Sequence, residues 1–331
     1  MLLLSRVALA LAVALALPTV AFAAVPPSCK GRDLVDDPAI TPNYAAFADD
    51  LVNSDGLLRK IEKEGIAPSY VYGTVHSTQS EPVALAREAA KRFDGARAVI
   101  TELGGPFDAG AKVNMGAGML AAALSADVDT FAGQFTAGDA ELAERYLEAH
   151  GYPKEMAHHL KLWYLALATS MPSCESEGGQ DGLPEVDETL ASLGKAKGLP
   201  VIALETLDEQ ISTLSATPPK LAAQMLVATA RTPGLDDDSY VTLLRLYREK
   251  HPARALAVLD ALPGISEEDR HAERDFAKLL LVGRNGVMAS RAAPYLASGG
   301  AFIAVGALHL CGKDGLVERF RDQGYRVTRV W

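Results

Sequence analysis

Basic residues are in the minority in this chain: 32 Lys and Arg stand against 42 Asp and Glu, a net charge of −10 at pH 7. No basic patch with interleaved aromatics offsets that balance, which excludes a nucleic-acid partner. Past the first two dozen residues no apolar run approaches a membrane span. Low-complexity segments are absent, and so are His-Glu-x-x-His, Gly-x-Ser-x-Gly and Gly-x-x-x-x-Gly-Lys. The zincin, nucleophile-elbow and phosphate-loop routes to function therefore close. Cysteine is scarce too, at Cys29, Cys174 and Cys311, so one disulfide at most can form, with one thiol left over.

Hydrophobic residues make up 49% of the chain, ample for a core. The first residues, MLLLSRVALALAVALALPTVAFAAVPP, have the three parts of a secretory signal: Arg6, an apolar run over residues 7–17, and Ala21-Phe22-Ala23. Cleavage after Ala23, with Ala24 as the near alternative, leaves a mature domain of residues 24–331. The competing reading is a retained anchor, for which the run is short. Cys29 follows "VPPS" and not the small apolar box of a lipoprotein signal. The expectation is an exported protein, periplasmic in a Gram-negative-type cell.

Periodicity divides the rest of the chain. "LLRKIEKEGIAPSYVYGTVH" alternates as a β-hairpin, with a turn at Gly-Ile-Ala-Pro-Ser and a second strand from Tyr70 to Val75. "EPVALAREAAKRFDG" has helical spacing, and "ARAVITEL" is a buried strand that delivers Glu102. Residues 110–280 read mostly helical, interrupted by the short strand "LPVIALE", which ends in Glu205. Then come "ERDFAKLLLVGRNGVMASRAAPYLAS" as a helix or a broken pair, "AFIAVGALHL" as a strand, a helix, and a final strand "YRVTRVW".

The two ends share a pattern. One strand runs into Gly73-Thr74-Val75-His76, the other into Gly306-Ala307-Leu308-His309, and each is followed by a helix and a strand. The predicted class is α/β, with two β-α-β halves forming one sheet around a large helical insertion. Both histidines and Glu102 then fall at carboxyl strand ends, the edge where open sheets bind ligands. Two imidazoles and a carboxylate are a common shell for a catalytic divalent metal. The glycine before each His allows close approach of backbone or ligand. A Gly-x-x-His is also frequent by chance, and its bland reading is a buried His bonded to a loop.

His158 and His159 lack a partner pair at i, i+4 and read as packing or surface residues. Asp236-Asp237-Asp238 lacks the spacing of a calcium loop and reads as a helix cap. Arg284 and Asn285, placed just before an apolar helix, can bind a carboxylate or steady an oxyanion; a helix-start cap is the alternative. A Cys29–Cys174 bridge is preferred, since a bridge to Cys311 would tether the segment after His309. Cys311 then reads as a part-buried thiol, with metal ligation the alternative.

The stretches "VYGTVHSTQSEPVALAREAAKRFDGARAVITEL" and "GGAFIAVGALHLCGKDGLVERFRDQGYRVTRV" resemble the opening and closing segments of TraB/GumN proteins, the superfamily of the Tiki metalloproteases. "LPEVDETLASLGKAKGLPVIALETLDEQ" is similar to the middle signature, with Asp187, Glu205 and Gln210 in matching places, and "GRNGVM" to the Arg-Asn element. The resemblance implies one α/β domain and, as in the Tiki branch, a divalent-metal peptidase site at His76, Glu102 and His309. Glu205 or Asp187 would complete the shell, with Glu205 favoured as a strand-end residue. Glu102 (as ligand or general base), Arg284 and Asn285 would act on substrate. The implied ion is manganese, cobalt or zinc, and the implied partner a peptide or protein substrate. The alternatives are a metal-free, esterase-like hydrolase with a His base, and a non-catalytic envelope protein that binds haem, peptide or glycan.

Overall fold

The structure, a computed structural model, describes residues 28–40, 51–105, 108–125, 128–172, 174–175, 183–262 and 266–331. The leader read as a signal, residues 1–23, lies outside these. Among the described residues no helix is long and apolar enough to cross a membrane.

The chain is mixed α/β around one six-stranded sheet. The strands are β1 (Leu58–Lys63), β2 (Ile66–Thr74), β3 (Ala98–Thr101), β4 (Val201–Ala203), β5 (Ala301–Gly306) and β6 (Arg326–Arg329), in the spatial order β4-β3-β5-β2-β1-β6. β1 pairs antiparallel with β2 and β6, and the other pairings are parallel. The hairpin turns at Glu64-Gly65, earlier than the Pro-containing stretch suggests, so β2 begins at Ile66. Gly65, with φ +76°, supplies the left-handed residue that so tight a turn requires.

The two β-α-β halves interleave. β5, from the end of the chain, inserts between β2 and β3, pairing Thr74 with Gly306 on one side and Thr101 with Ala304 on the other. Side chains alternate across the pleat as the period of two demands. Val71, Ile100, Ile303 and Val305 face one cluster; Tyr72, Val99, Phe302 and Ala304 face the other.

Helix α1 (Ser80–Ala89), which follows β2, covers the second face through Ala86 and Ala89. The C-terminal helix Leu316–Asp322, which follows β5, covers the first face through Leu316, Val317 and Phe320. Neighbouring parallel strands thus send their chains to opposite faces, and a crevice opens between their carboxyl ends.

Among the described residues between β3 and β5 the regular structure is helical apart from β4. The stretch read as a helix or broken pair is one helix of 32 residues, Glu267–Ser298. Arg284 and Asn285 are inside it and not at its start. Its Met288, Ala289, Ala292 and Leu296 pack on the first face of the sheet, and that burial outweighs the cost of Gly283, Gly286 and Pro294 in its interior.

The two Gly-x-x-His segments touch through a glycine. A Cβ at Gly73 would lie 2.9 Å from both Cα and Cβ of Ala307, in the second motif. Gly73→Ala is expected to destabilise the fold by about 1–3 kcal/mol, since backbone must shift to admit the methyl. Urea unfolding of the purified chain measures this.

Candidate functional site

Glu102, one residue past β3, is the centre of the crevice. Its Oε1 accepts the Gly306 N–H at 2.7 Å, and its Oε2 accepts Arg284 Nη2 at 2.7 Å. Glu205 stands at the next strand end, because its N–H and that of Leu204 donate to the Glu102 carbonyl. The Arg284 guanidinium reaches both carboxylates: Nη2 also donates to Glu205 Oε2 at 2.7 Å, and Nε lies 3.0 Å from each Glu205 oxygen. Gln210 Nε2 adds long bonds to both, at 3.4 and 3.3 Å. Burial alone would raise the Glu102 pKa; the positive charge beside it, Arg284 above all, and the Gly306 N–H bond outweigh that and hold the carboxyl below the ordinary value.

His309 follows β5 in a single 3₁₀ turn, Ala307–Leu310, and is 4% exposed. Its Nδ1 is 2.7 Å from Asn285 Oδ1. Asn285 Nδ2 donates to the Asp314 carbonyl at 2.9 Å, which fixes the amide oxygen toward the ring. Nδ1 therefore carries the proton and Nε2 the bare lone pair. That Nε2 lies 3.7 Å from Glu102 Oε1. Burial lowers the His309 pKa, which favours the neutral ring. A Cβ at Gly306 would stand 3.3 Å from Glu102 Oε1 and 3.5 Å from His309 Cδ2, so the glycine keeps this corner open.

His76, two residues past β2, is solvent-facing, with 78% of its side chain exposed. Its Nδ1 lies 3.4 Å from Glu185 Oε2. That bond, with the neighbouring charges of Asp187, Glu185 and Glu102, pushes its pKa up to about 9. At such exposure solvent screens much of that pull. Asp187, in the first turn of the helix Val186–Ala196, accepts the Thr74 hydroxyl at Oδ1, 3.1 Å away. Its Oδ2 is buried with no partner. Desolvation pushes its pKa up to about 7.

The crevice thus brings together His309, Glu102, Arg284, Asn285 and Glu205, with His76 and Asp187 at its second wall. The charge of His76 reaches Glu102 across it. The four expected ligands are not drawn into one tight cluster. Among the described residues the sole group of three or more His, Cys, Asp or Glu donor atoms within 4.8 Å of one another is Cys29, Cys174 and Glu175, and its sulfurs are bonded to each other. Cys311 is a free thiol, its pKa pushed up to about 12 by burial.

Two features escape sequence reading. Glu185 holds His76 as Asn285 holds His309, yet nothing in "GLPEVDE" distinguishes it from a helix-start acid. Arg284 spends its donors on carboxylates of the chain itself, a pairing over 182 residues that no local pattern signals.

In the metal-free chain Asp187 should contribute stability that is lost as pH rises from about 4 to about 7. Asp187 keeps its proton in the folded state after the unfolded chain has released it, so the folded state binds more protons in that window. Asp187→Asn is expected to melt higher than wild type at pH 8, by no more than a few kcal/mol in stability, and to match it near pH 4. Thermal unfolding at the two pH values checks this.

No curated protein and no solved structure matches the chain. The model of the TraB/PrgY/gumN family matches residues 57–329, from the start of β1 to the end of β6 and through every residue of the crevice. The chain belongs to the TraB/PrgY/gumN family.

Proposed function

We propose that this chain is an exported hydrolase that cuts a peptide bond with a divalent cation (manganese, cobalt or zinc) held by His76, His309 and Glu102. The observation that carries the reading is how the imidazoles are presented. Each has a side-chain oxygen at Nδ1, Asn285 at 2.7 Å and Glu185 at 3.4 Å, leaving Nε2 for a ligand. Such backing carboxylate and amide groups are what orient metal-bound histidines.

The donor set fits in part as it stands. His309 Nε2 and Glu102 Oε1 are 3.7 Å apart, close enough for one ion at bond lengths of about 2.0–2.2 Å. Glu205 does not fit, since Arg284 engages both of its oxygens. Asp187 replaces it as the carboxylate with an oxygen to spare.

A bound divalent ion would acidify a water and polarise the scissile carbonyl. The chain does the rest. Arg284 keeps Glu102 anionic and in place. Asn285 sets the His309 tautomer. Arg284, committed to two carboxylates, acts as a positioning residue rather than as an oxyanion donor. The peptide substrate follows from the resemblance to the Tiki branch, and export from the leader.

One observation favours a metal-free reading: Arg284 already pairs with both Glu102 and Glu205. His309, with its bare Nε2, would then be the general base.

Elemental analysis of residues 24–331 is expected to find one ion per chain, lost in His76→Ala and in His309→Ala together with peptidase activity. Asn285→Ala should weaken ion affinity by about 10–100-fold. Affinity should rise with pH, because the imidazoles must shed their protons to bind. Full ion content in both histidine variants would sink this reading. Hydrolysis that survives exhaustive chelation but not His309→Ala would establish the metal-free one.

A further inference from the structure

Glu175 is a buried carboxylate that this chemistry does not use, 7% exposed. It accepts four hydrogen bonds. Ser77 Oγ and the Tyr240 hydroxyl donate to Oε1, and the Thr78 N–H and hydroxyl donate to Oε2 at 2.7 and 2.8 Å. Ser77 and Thr78 directly follow His76. The Ser77 carbonyl accepts the Val186 N–H at 3.1 Å, beside Glu185 and Asp187. The loop that carries His76 is therefore clamped between Glu175 and the helix start that carries its other partners.

What places Glu175 is the residue before it. Cys174 forms a disulfide with Cys29 across 145 residues of sequence, and both sulfurs lie within 4.8 Å of a Glu175 oxygen. The segment after Cys29 is fastened along the helix Leu235–Arg248. Arg32 bonds Asp238, the Leu34 N–H bonds Thr242 Oγ1 at 2.9 Å, and Leu34 and Ile40 pack with Leu246. That same helix supplies Tyr240. The disulfide thus closes a frame whose inner corner is Glu175.

We propose that the Cys29–Cys174 disulfide is a latch on the crevice: it holds Glu175 in position to clamp the His76 loop, and its reduction releases that loop. The proposal deepens the reading of His76 as a ligand and rests on it for its functional consequence. Cys174 is buried and Cys29 partly exposed, so a dithiol reductant attacks the Cys29 sulfur. Cys174 leaves as a thiolate and takes a proton. The second thiol of the reductant then displaces Cys29, which is protonated in turn. Two electrons and two protons enter the chain, and the reductant departs as a disulfide. The chain would thus keep a loose site in a reducing compartment and a formed one where disulfides persist.

The test is backbone hydrogen exchange on the mature chain in three states: oxidised, reduced by a dithiol, and Glu175→Ala with the disulfide intact. Exchange at the Thr78 amide should quicken about tenfold in the second and third states, as expected for a buried donor that loses its acceptor, while peptides from β5 keep their protection. Manganese or zinc titrated into the same samples should bind about tenfold more weakly than to the oxidised wild type. Unchanged exchange at Thr78 on reduction, or in Glu175→Ala, overturns the latch. Loss of β5 protection on reduction overturns it as well, because the disulfide would then hold the whole fold and not the loop. If no state binds metal, the metal reading fails by itself, and the exchange data still decide the latch.

Discussion

One guanidinium between two buried carboxylates is the constraint on which the rest of the crevice depends. Arg284, mid-helix on one side of the sheet, binds the residues that end β3 and β4. Glu205 is 4% exposed and Glu102 9%. Burying a carboxylate unpaired costs several kcal/mol. With Arg284 in place Glu102 stays anionic, and it can direct its other oxygen to the Gly306 N–H and toward His309. The ion pair also sets where the long helix lies along the sheet. That in turn delivers Asn285, the next residue, to the His309 ring. A single contact therefore aligns an acid, a base and the group that fixes the base's tautomer.

The two walls of the crevice differ in kind. His309 is enclosed and neutral, its proton placed by a chain of two hydrogen bonds from Asp314 through Asn285. His76 is open to solvent and held by the longer contact to Glu185. A site with one rigid and one adjustable imidazole can close on what it binds by moving a side chain and not a domain. The Glu175 clamp behind His76 has meaning in that setting, for it restrains the backbone on the side where the side chain is free.

Much of this is legible in the chain. Alternation in "YVYGTVH" and "AFIAVG" marks the strands because one pleated face must be apolar, and the strand-end positions of His76, Glu102 and Glu205 follow directly. What local pattern does not encode is who neighbours whom. Nothing in "AFIAVGALHL" says that it slots between β2 and β3 and not beside them, since both arrangements bury the same side chains. The helix through Arg284 misleads because Gly283 and Gly286 look like punctuation; packing against the sheet overrides their low propensity. Glu185 and Glu175 look like ordinary surface acids until their partners, 109 residues away for the first and 65 to 98 for the second, are in view.

The place of β5 has a consequence for how the molecule comes into being. Strands β2 and β3 are made early, yet each takes its parallel partner from residues 301–306, close to the end of the chain. Until that segment arrives, the centre of the sheet is missing and Gly73 and Glu102 face no one. A ribosome must therefore release nearly the whole polypeptide before the crevice can exist at all. High contact order of this kind slows folding. Under the proposed export, that slowness would help to keep the chain open until it has crossed.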